Sequence, residues 1–184
     1  ARSFRIAIDV LSTFICLVAG FYSLIVFLLI VKSRELLFFG WLCLTVCFRG
    51  VLSNETLLMY LIPDLPANLG SRLLTMTIPM IVIATLLYTF NLYQRDIPNL
   101  IGATLLAINI FYIATVLFTG PFIYSSFFLP YMASIAASCL LGLYIAVRSL
   151  IRRRADAIYY LSGMFLLAAG AANDILHFVQ IINT

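Results

Sequence analysis

Six runs of apolar residues, at about 6–31, 36–53, 72–93, 98–118, 125–150 and 157–178, are the strongest constraint on what this chain can fold into. A helix of ~20 residues crosses a hydrocarbon core of ~30 Å, and each run reaches or approaches that length. With 64% of its residues hydrophobic and 10% charged, the chain lacks the polar surface needed to coat a soluble globule. A signal peptide accounts for one short run near the start and not for six. The expected fold is all-α: a polytopic integral membrane helical bundle forming one domain over 1–184, with six spanning helices present.

The basic residues occupy every second gap between these runs. Lys32 and Arg34 fill the first gap, Arg95 the third, and Arg148, Arg152, Arg153 and Arg154 the fifth. The second gap carries Glu55 and Asp64 but no Lys or Arg, and the fourth carries no charge. Cationic loops stay on the cytoplasmic side, because moving Lys and Arg across a bilayer is disfavoured. The basic loops are therefore expected inside and the N-terminus outside. The net charge of +4 belongs to lipid headgroups rather than to nucleic acid. Six crossings bring the chain's end back outside, so at least one further helix is expected to follow. Cys16, Cys43, Cys47 and Cys139 all fall in apolar runs, where they read as small buried hydrophobes.

Shorter features refine this picture. Residues 55–62 are too few to span and read as a helix lying at the outer interface, stopped by Pro63 and Pro66. Ser134, Ser138 and Gly142 recur every four residues, as do Ala168 and Ala172, which suits close helix packing in lipid. Asn91, Asn109, Tyr22, Tyr88 and Tyr112 are expected to hydrogen-bond between helices, and Pro79 and Gly20 to bend theirs. Pro130 falls in the first turns of the fifth run, and Pro98 opens the fourth.

An ionisable group inside a span costs roughly 2.5–3.5 kcal/mol on insertion scales, so each needs a partner or a purpose. A rise of 1.5 Å per residue brings Asp9, Arg49, Glu55, Arg72, Asn173, Asp174 and His177 to the outer level. Arg72 is expected to open its helix there. In one reading Arg49 pairs with Asp174 or Asp9 and holds helices together. In another, Arg49 and Arg72 face a small outer pocket and meet an anionic ligand, for which the planar guanidinium fork is well shaped. Asp174 and His177, three apart on one helical face, supply at most half of a metal site, and His177, as a histidine, is a candidate pH sensor. No metal, cofactor or catalytic residue is expected. A chain of carboxylates crossing the membrane is missing, the lysine Lys32 sits at a helix end, and no phosphate loop or nucleophile with a base is present.

The stretch from Phe38-Phe39-Gly40-Trp41-Leu42-Cys43-Leu44 to Arg49-Gly50-Val51-Leu52-Ser53-Asn54-Glu55 resembles the second-helix region of the seven-transmembrane receptors with diverse intracellular signalling modules. Leu61-Ile62-Pro63-Asp64-Leu65-Pro66, the Arg72-Leu73 pair and the terminal Ala171-Ala172-Asn173-Asp174-Ile175-Leu176 follow the same pattern in order. The resemblance covers roughly residues 20–180. It implies a bacterial inner-membrane sensor that passes an exterior signal to a cytoplasmic output domain after a seventh helix. That output is a diguanylate cyclase, a histidine kinase, an adenylate cyclase or a phosphatase in such receptors. It also points to the region of Arg49, Glu55, Asn173 and Asp174. The expected partners are the lipid bilayer, an exterior ligand and the output domain, with a homodimer as a candidate assembly. A small-molecule or ion transporter or channel is the alternative, and an integral-membrane enzyme a third. Cysteines placed at Ser33 or Arg153 are expected to escape a membrane-impermeant thiol reagent in intact cells and to react once the inner face is opened; labelling in intact cells would contradict the threading.

Overall fold

A computed structural model describes residues 2–53, 66–93, 99–153, 157–158, 160–165 and 167, with the backbone alone at 2–9, 67–68, 99 and 121. The described residues form helices: α1 (Arg2–Leu29), α2 (Arg34–Ser53), α3 (Ala67–Leu92), α4 (Asn99–Phe118), the short α5 (Pro121–Ser126) and α6 (Phe128–Ile151). Residues 157–158, 160–165 and 167 are helical as well. Five of these helices are long and apolar enough to cross a membrane. The all-α membrane bundle read from the sequence is thus what the described residues form. The interfacial segment expected at 55–62, together with Pro98, Ala168 and Ala172, lies outside the described residues.

The chain divides into two compact units, Ala1–Ser134 and Ile135–Thr184. In the first, α1 packs on α2, α2 on α3, α3 on α4 and α4 on α5. A link of four residues between α1 and α2 makes the first pair an antiparallel hairpin. Lipid provides no hydrophobic drive to hold two apolar helices together, so close van der Waals fit must do it. Two glycines supply the fit. A Cβ on Gly20 would stand 3.0 Å from Leu44 Cγ, and one on Gly40 would stand 3.0 Å from Leu24 Cγ and 3.2 Å from the Gly20 carbonyl oxygen. Each helix therefore offers a gap at its glycine and a leucine four residues later that enters the partner's gap. The opposite face of α1 carries Phe14, Ile15, Val18, Phe21, Ile25 and Leu28, all more than half exposed, where lipid is the solvent.

Helix boundaries differ from the sequence expectation where proline sets them. α3 begins at Ala67 and not at Arg72, because Pro66, with φ −57°, serves as its cap. The Pro66 carbonyl accepts from the amides of Leu69 (2.9 Å) and Gly70 (3.1 Å). Arg72 therefore stands in the second turn rather than opening the helix. The fifth apolar run is divided into α5 and α6 at Phe127. Pro121 follows Gly120 at the start of α5, the position where a missing N–H costs nothing. Pro130 has no N–H to give the Ser126 carbonyl, and its ring crowds that carbonyl. The helix restarts instead with Tyr131 N–H donating to the Phe127 carbonyl at 3.1 Å.

In the second unit, Ser138, Gly142, Ala146 and Ser149 lie buried along α6. Gly142 lies against Met164, and Tyr160 Oη is 3.7 Å from where its Cβ would stand. Overpacking a close contact costs about 1–3 kcal/mol, so Gly40→Leu is expected to lower the melting temperature of the purified protein by several degrees. Gly163→Ala, with nothing within 4 Å of the added methyl, is expected to leave it unchanged or higher. Equal melting temperatures for Gly40→Leu and the parent would contradict the α1–α2 fit.

Candidate functional site

Most polar side chains in the spans turn back on their own helices. Ser23 donates to the Ala19 carbonyl, Thr45 to Trp41, Thr85 to Ile81, Thr89 to Thr85 and Thr115 to Phe111, each four residues earlier. Asn91 Nδ2 donates to the Leu87 carbonyl and Asn109 Nδ2 to the Leu105 carbonyl, both at 2.8 Å. The expectation that these asparagines bridge helices is thus corrected. A carbonyl four residues back lies within reach of a short side chain without any second helix. Tyr22 is 68% exposed on α1, while Tyr88 packs its ring on Phe39 of α2 at 5.9 Å.

Arg49 does bridge. It stands four residues from the end of α2 at Ser53, ~6 Å inside at a rise of 1.5 Å per residue. Its Nη1 donates to Thr77 Oγ1 on α3 at 3.1 Å. Thr77 is fully buried and donates its own hydroxyl proton to the Leu74 carbonyl at 2.6 Å. One hydroxyl thereby accepts from a cation and donates to backbone, so the charged bond polarises a second one. Two residues on is Pro79, inside α3 and fully buried. It offers no N–H to the Thr75 carbonyl, so α3 lacks one backbone hydrogen bond in the turn that Arg49 holds.

Arg72 has a different partner. Its Nη1 makes a long contact of 3.5 Å with the Leu117 carbonyl, one of the last carbonyls of α4, which no intrahelical amide can reach. A cation there also faces the negative end of the helix dipole. Its Nε is buried without a hydrogen-bond partner among the described residues.

After these arginines in the chain's order come two tyrosines. Tyr112 on α4 and Tyr131 on α6 stack face to face, with ring centroids 3.8 Å apart and planes 3° from parallel. Both residues are 3% exposed. Neither hydroxyl has a hydrogen-bond partner among the described residues, nor does Asn109 Oδ1, one turn before Tyr112. Tyr131 is within electrostatic reach of Arg49 and of Tyr112, and Tyr112 of Tyr124. Tyr131 stands in the first turn of α6, at the end opposite Arg148, and Tyr112 is six residues from the end of α4. Within the first unit, these groups therefore share the end away from the link that carries Lys32.

The chain matches the family described as 7TM diverse intracellular signalling over residues 6–184. The chain belongs to that family. No curated protein matches it, and no solved structure does. As a member of the 7TM diverse intracellular signalling family, the chain is a multi-pass membrane sensor module, in contact with the bilayer and coupled to signalling output partners.

Of the residues that the sequence draws to one level, the structure describes the side chains of Arg49 and Arg72. Asp9 lies on α1, where the backbone alone is described. Glu55, Asn173, Asp174 and His177 lie outside the described residues. Among the described residues no group of three His, Cys, Asp or Glu side chains comes together. Arg49 and Arg72 engage α3 and α4 respectively. Thr77 and Tyr131 were not singled out from the sequence. The available signals were a threonine two residues before an intrahelical proline and a tyrosine directly after Pro130.

Proposed function

We propose that this chain is the membrane-embedded receptor module of a bacterial inner-membrane signalling protein, threaded with its N-terminus outside and its basic loops inside. It relays an exterior signal to a cytoplasmic output domain with cyclase, diguanylate cyclase, kinase or phosphatase activity. The sensing site is the outer cluster around Arg49, completed by Arg72 and by Asp9, Glu55, Asn173, Asp174 and His177, and its ligand is anionic. The module itself performs no chemistry. The observation that carries this reading is the bond from Arg49 to Thr77 beside Pro79. It ties the polar end of the bundle to the turn of α3 that is short of a backbone hydrogen bond. A ligand shifts an equilibrium only by binding one arrangement better than the other. An anion that draws the guanidinium toward itself weakens its hold on Thr77, and α3 is then free to change its bend.

In the full-length protein, Arg49→Ala is expected to abolish the change in output that the exterior stimulus produces, while protein abundance in the membrane stays within about twofold of the parent. Arg49→Lys, which keeps the charge but loses the planar fork, is expected to retain a reduced response. An unchanged response in Arg49→Ala sinks the site, and solute or ion flux by the parent in proteoliposomes points to the transporter instead.

A further inference from the structure

Cys16, Cys43 and Cys47 are three of the chain's four cysteines, and the hairpin of α1 and α2 gathers them on one seam. Its contacts fix the register of that seam. A Cβ on Gly20 would stand 3.3 Å from Cys43 Cβ, and one on Gly50 would stand 2.6 Å from Thr13 Oγ1. From the first contact, four residues back along α1 and four forward along α2 lead to Cys16 and Cys47. Three more on each helix lead to Thr13 and Gly50, the second contact. Cys16 and Cys47 therefore face each other between two observed points of close approach. Cys16 is within electrostatic reach of Cys47 and of Cys43, as this register requires. Cys47 is 7% exposed, and Cys16 and Cys43 are half-buried. Cys139 belongs to the second unit.

A disulfide spans ~3.5–4.5 Å between Cβ atoms and ~4.4–6.8 Å between Cα atoms. Helices held apart by large side chains, with axes ~8–10 Å apart, seldom offer that spacing. The glycines provide it here. A Cβ on Gly40 would stand 3.2 Å from the Gly20 carbonyl oxygen, and the facing Cβ positions at Gly20 and Cys43 set the scale at 3.3 Å. One turn further along the same seam come Cys16 and Cys47.

We propose that Cys16 and Cys47 are a redox-sensitive pair that a lipid-soluble quinone oxidises to a disulfide, locking α1 to α2. Both S–H bonds break as the S–S bond forms. The two electrons and two protons released pass to the quinone, which becomes the hydroquinone. Thiol–disulfide exchange with an aqueous partner depends on access to the sulfur, and a seam between two spanning helices gives a water-borne disulfide little. A quinone dissolves in the same hydrocarbon as the seam, and quinones are acceptors through which protein dithiols are oxidised elsewhere. Arg49 stands two residues beyond Cys47 on α2. Oxidation thus fixes the helix that carries Arg49 onto α1 while leaving the bond to Thr77 in place. The pair needs neither an anionic ligand nor a particular output domain.

The test uses the full-length protein in nanodiscs, reduced with a phosphine that is then removed. Decylubiquinone, whose fully substituted ring resists thiol addition, is the oxidant, and oxidised glutathione is the water-borne control. Remaining thiols are capped with N-ethylmaleimide after denaturation, and the peptides are mapped by mass. The quinone is expected to remove two cappable thiols from the parent and to link the peptide holding Cys16 to the one holding Cys47, and a reductant to restore both. Cys43→Ser and Cys139→Ser are expected to keep the link, and Cys16→Ser and Cys47→Ser to lose it. The linked parent is expected to melt several degrees above the reduced parent, with no such rise in Cys47→Ser. The proposal is overturned if the quinone leaves Cys16 and Cys47 cappable in the parent. A link to Cys16 that persists in Cys47→Ser, or that is lost in Cys43→Ser, also overturns it. So does oxidised glutathione that links the pair as readily as the quinone does.

Discussion

A guanidinium on a membrane-spanning helix is the constraint around which the described part of this bundle is arranged. Such a group is costly at membrane depth unless it is paired, hydrogen-bonded or close enough to the interface to reach polar surroundings. Arg49 is hydrogen-bonded and stands near a helix end. It is ~6 Å from the end of α2 by helical rise, and it bonds to a fully buried threonine on the next helix. That bond does more than satisfy a charge. Among the described residues, hydroxyls and amides such as those of Ser23, Thr45, Thr85, Asn91 and Asn109 are absorbed by their own helices, whereas Arg49 reaches another helix. A tie from α2 to α3 therefore has a larger influence on how the bundle is held than the same bond would have in water. Its position beside Pro79 places it where α3 resists bending least.

The rest of the first unit depends on shape. α1 and α2 are joined by reciprocal fitting of Gly20 against Leu44 and Gly40 against Leu24, with large apolar side chains of α1 turned outward to lipid. This pair has the features of a fixed platform: a short link, close backbone approach and no proline. α3, α4 and the start of α6 carry the prolines, the tyrosine pair and the second arginine. A sensor of this kind needs both parts, since a signal must move some helices relative to others that stay put. Arg49 stands on the proline-free pair and reaches across to Thr77 on the proline-bearing α3, so its bond joins the two parts.

Much of the fold was legible in the sequence because the cost of polar backbone and side chains in lipid is large and leaves a simple pattern. The apolar runs at 36–53 and 98–118 locate α2 and α4 to within two residues at each end. The run at 125–150 was less legible, since apolar residues continue straight through the break at Phe127 and only the chemistry of Pro130 marks it. The early start of α3 was hidden for a similar reason: Asn68 and Ser71 look like loop residues, while the carbonyl of Pro66 that starts the helix leaves no hydrophobic signal. In the candidate site, Arg49 stood out because a charge in a span is rare. Thr77 and Tyr131 did not, because a threonine or tyrosine in a membrane helix is ordinary and gains its meaning only from what faces it. Hydrogen-bond direction was the least legible feature, as Asn91 and Asn109 show by turning to their own backbones.

The coupling between Arg49 and Thr77 is open to one direct measurement, a double-mutant cycle on the thermal stability of the full-length protein with Arg49→Ala, Thr77→Val and the pair. The account predicts strong non-additivity, with an interaction of about 1 kcal/mol or more and a double variant little less stable than Arg49→Ala alone. Additive losses, each substitution acting without regard to the other, would show that α2 and α3 are not joined at this point and would contradict the account.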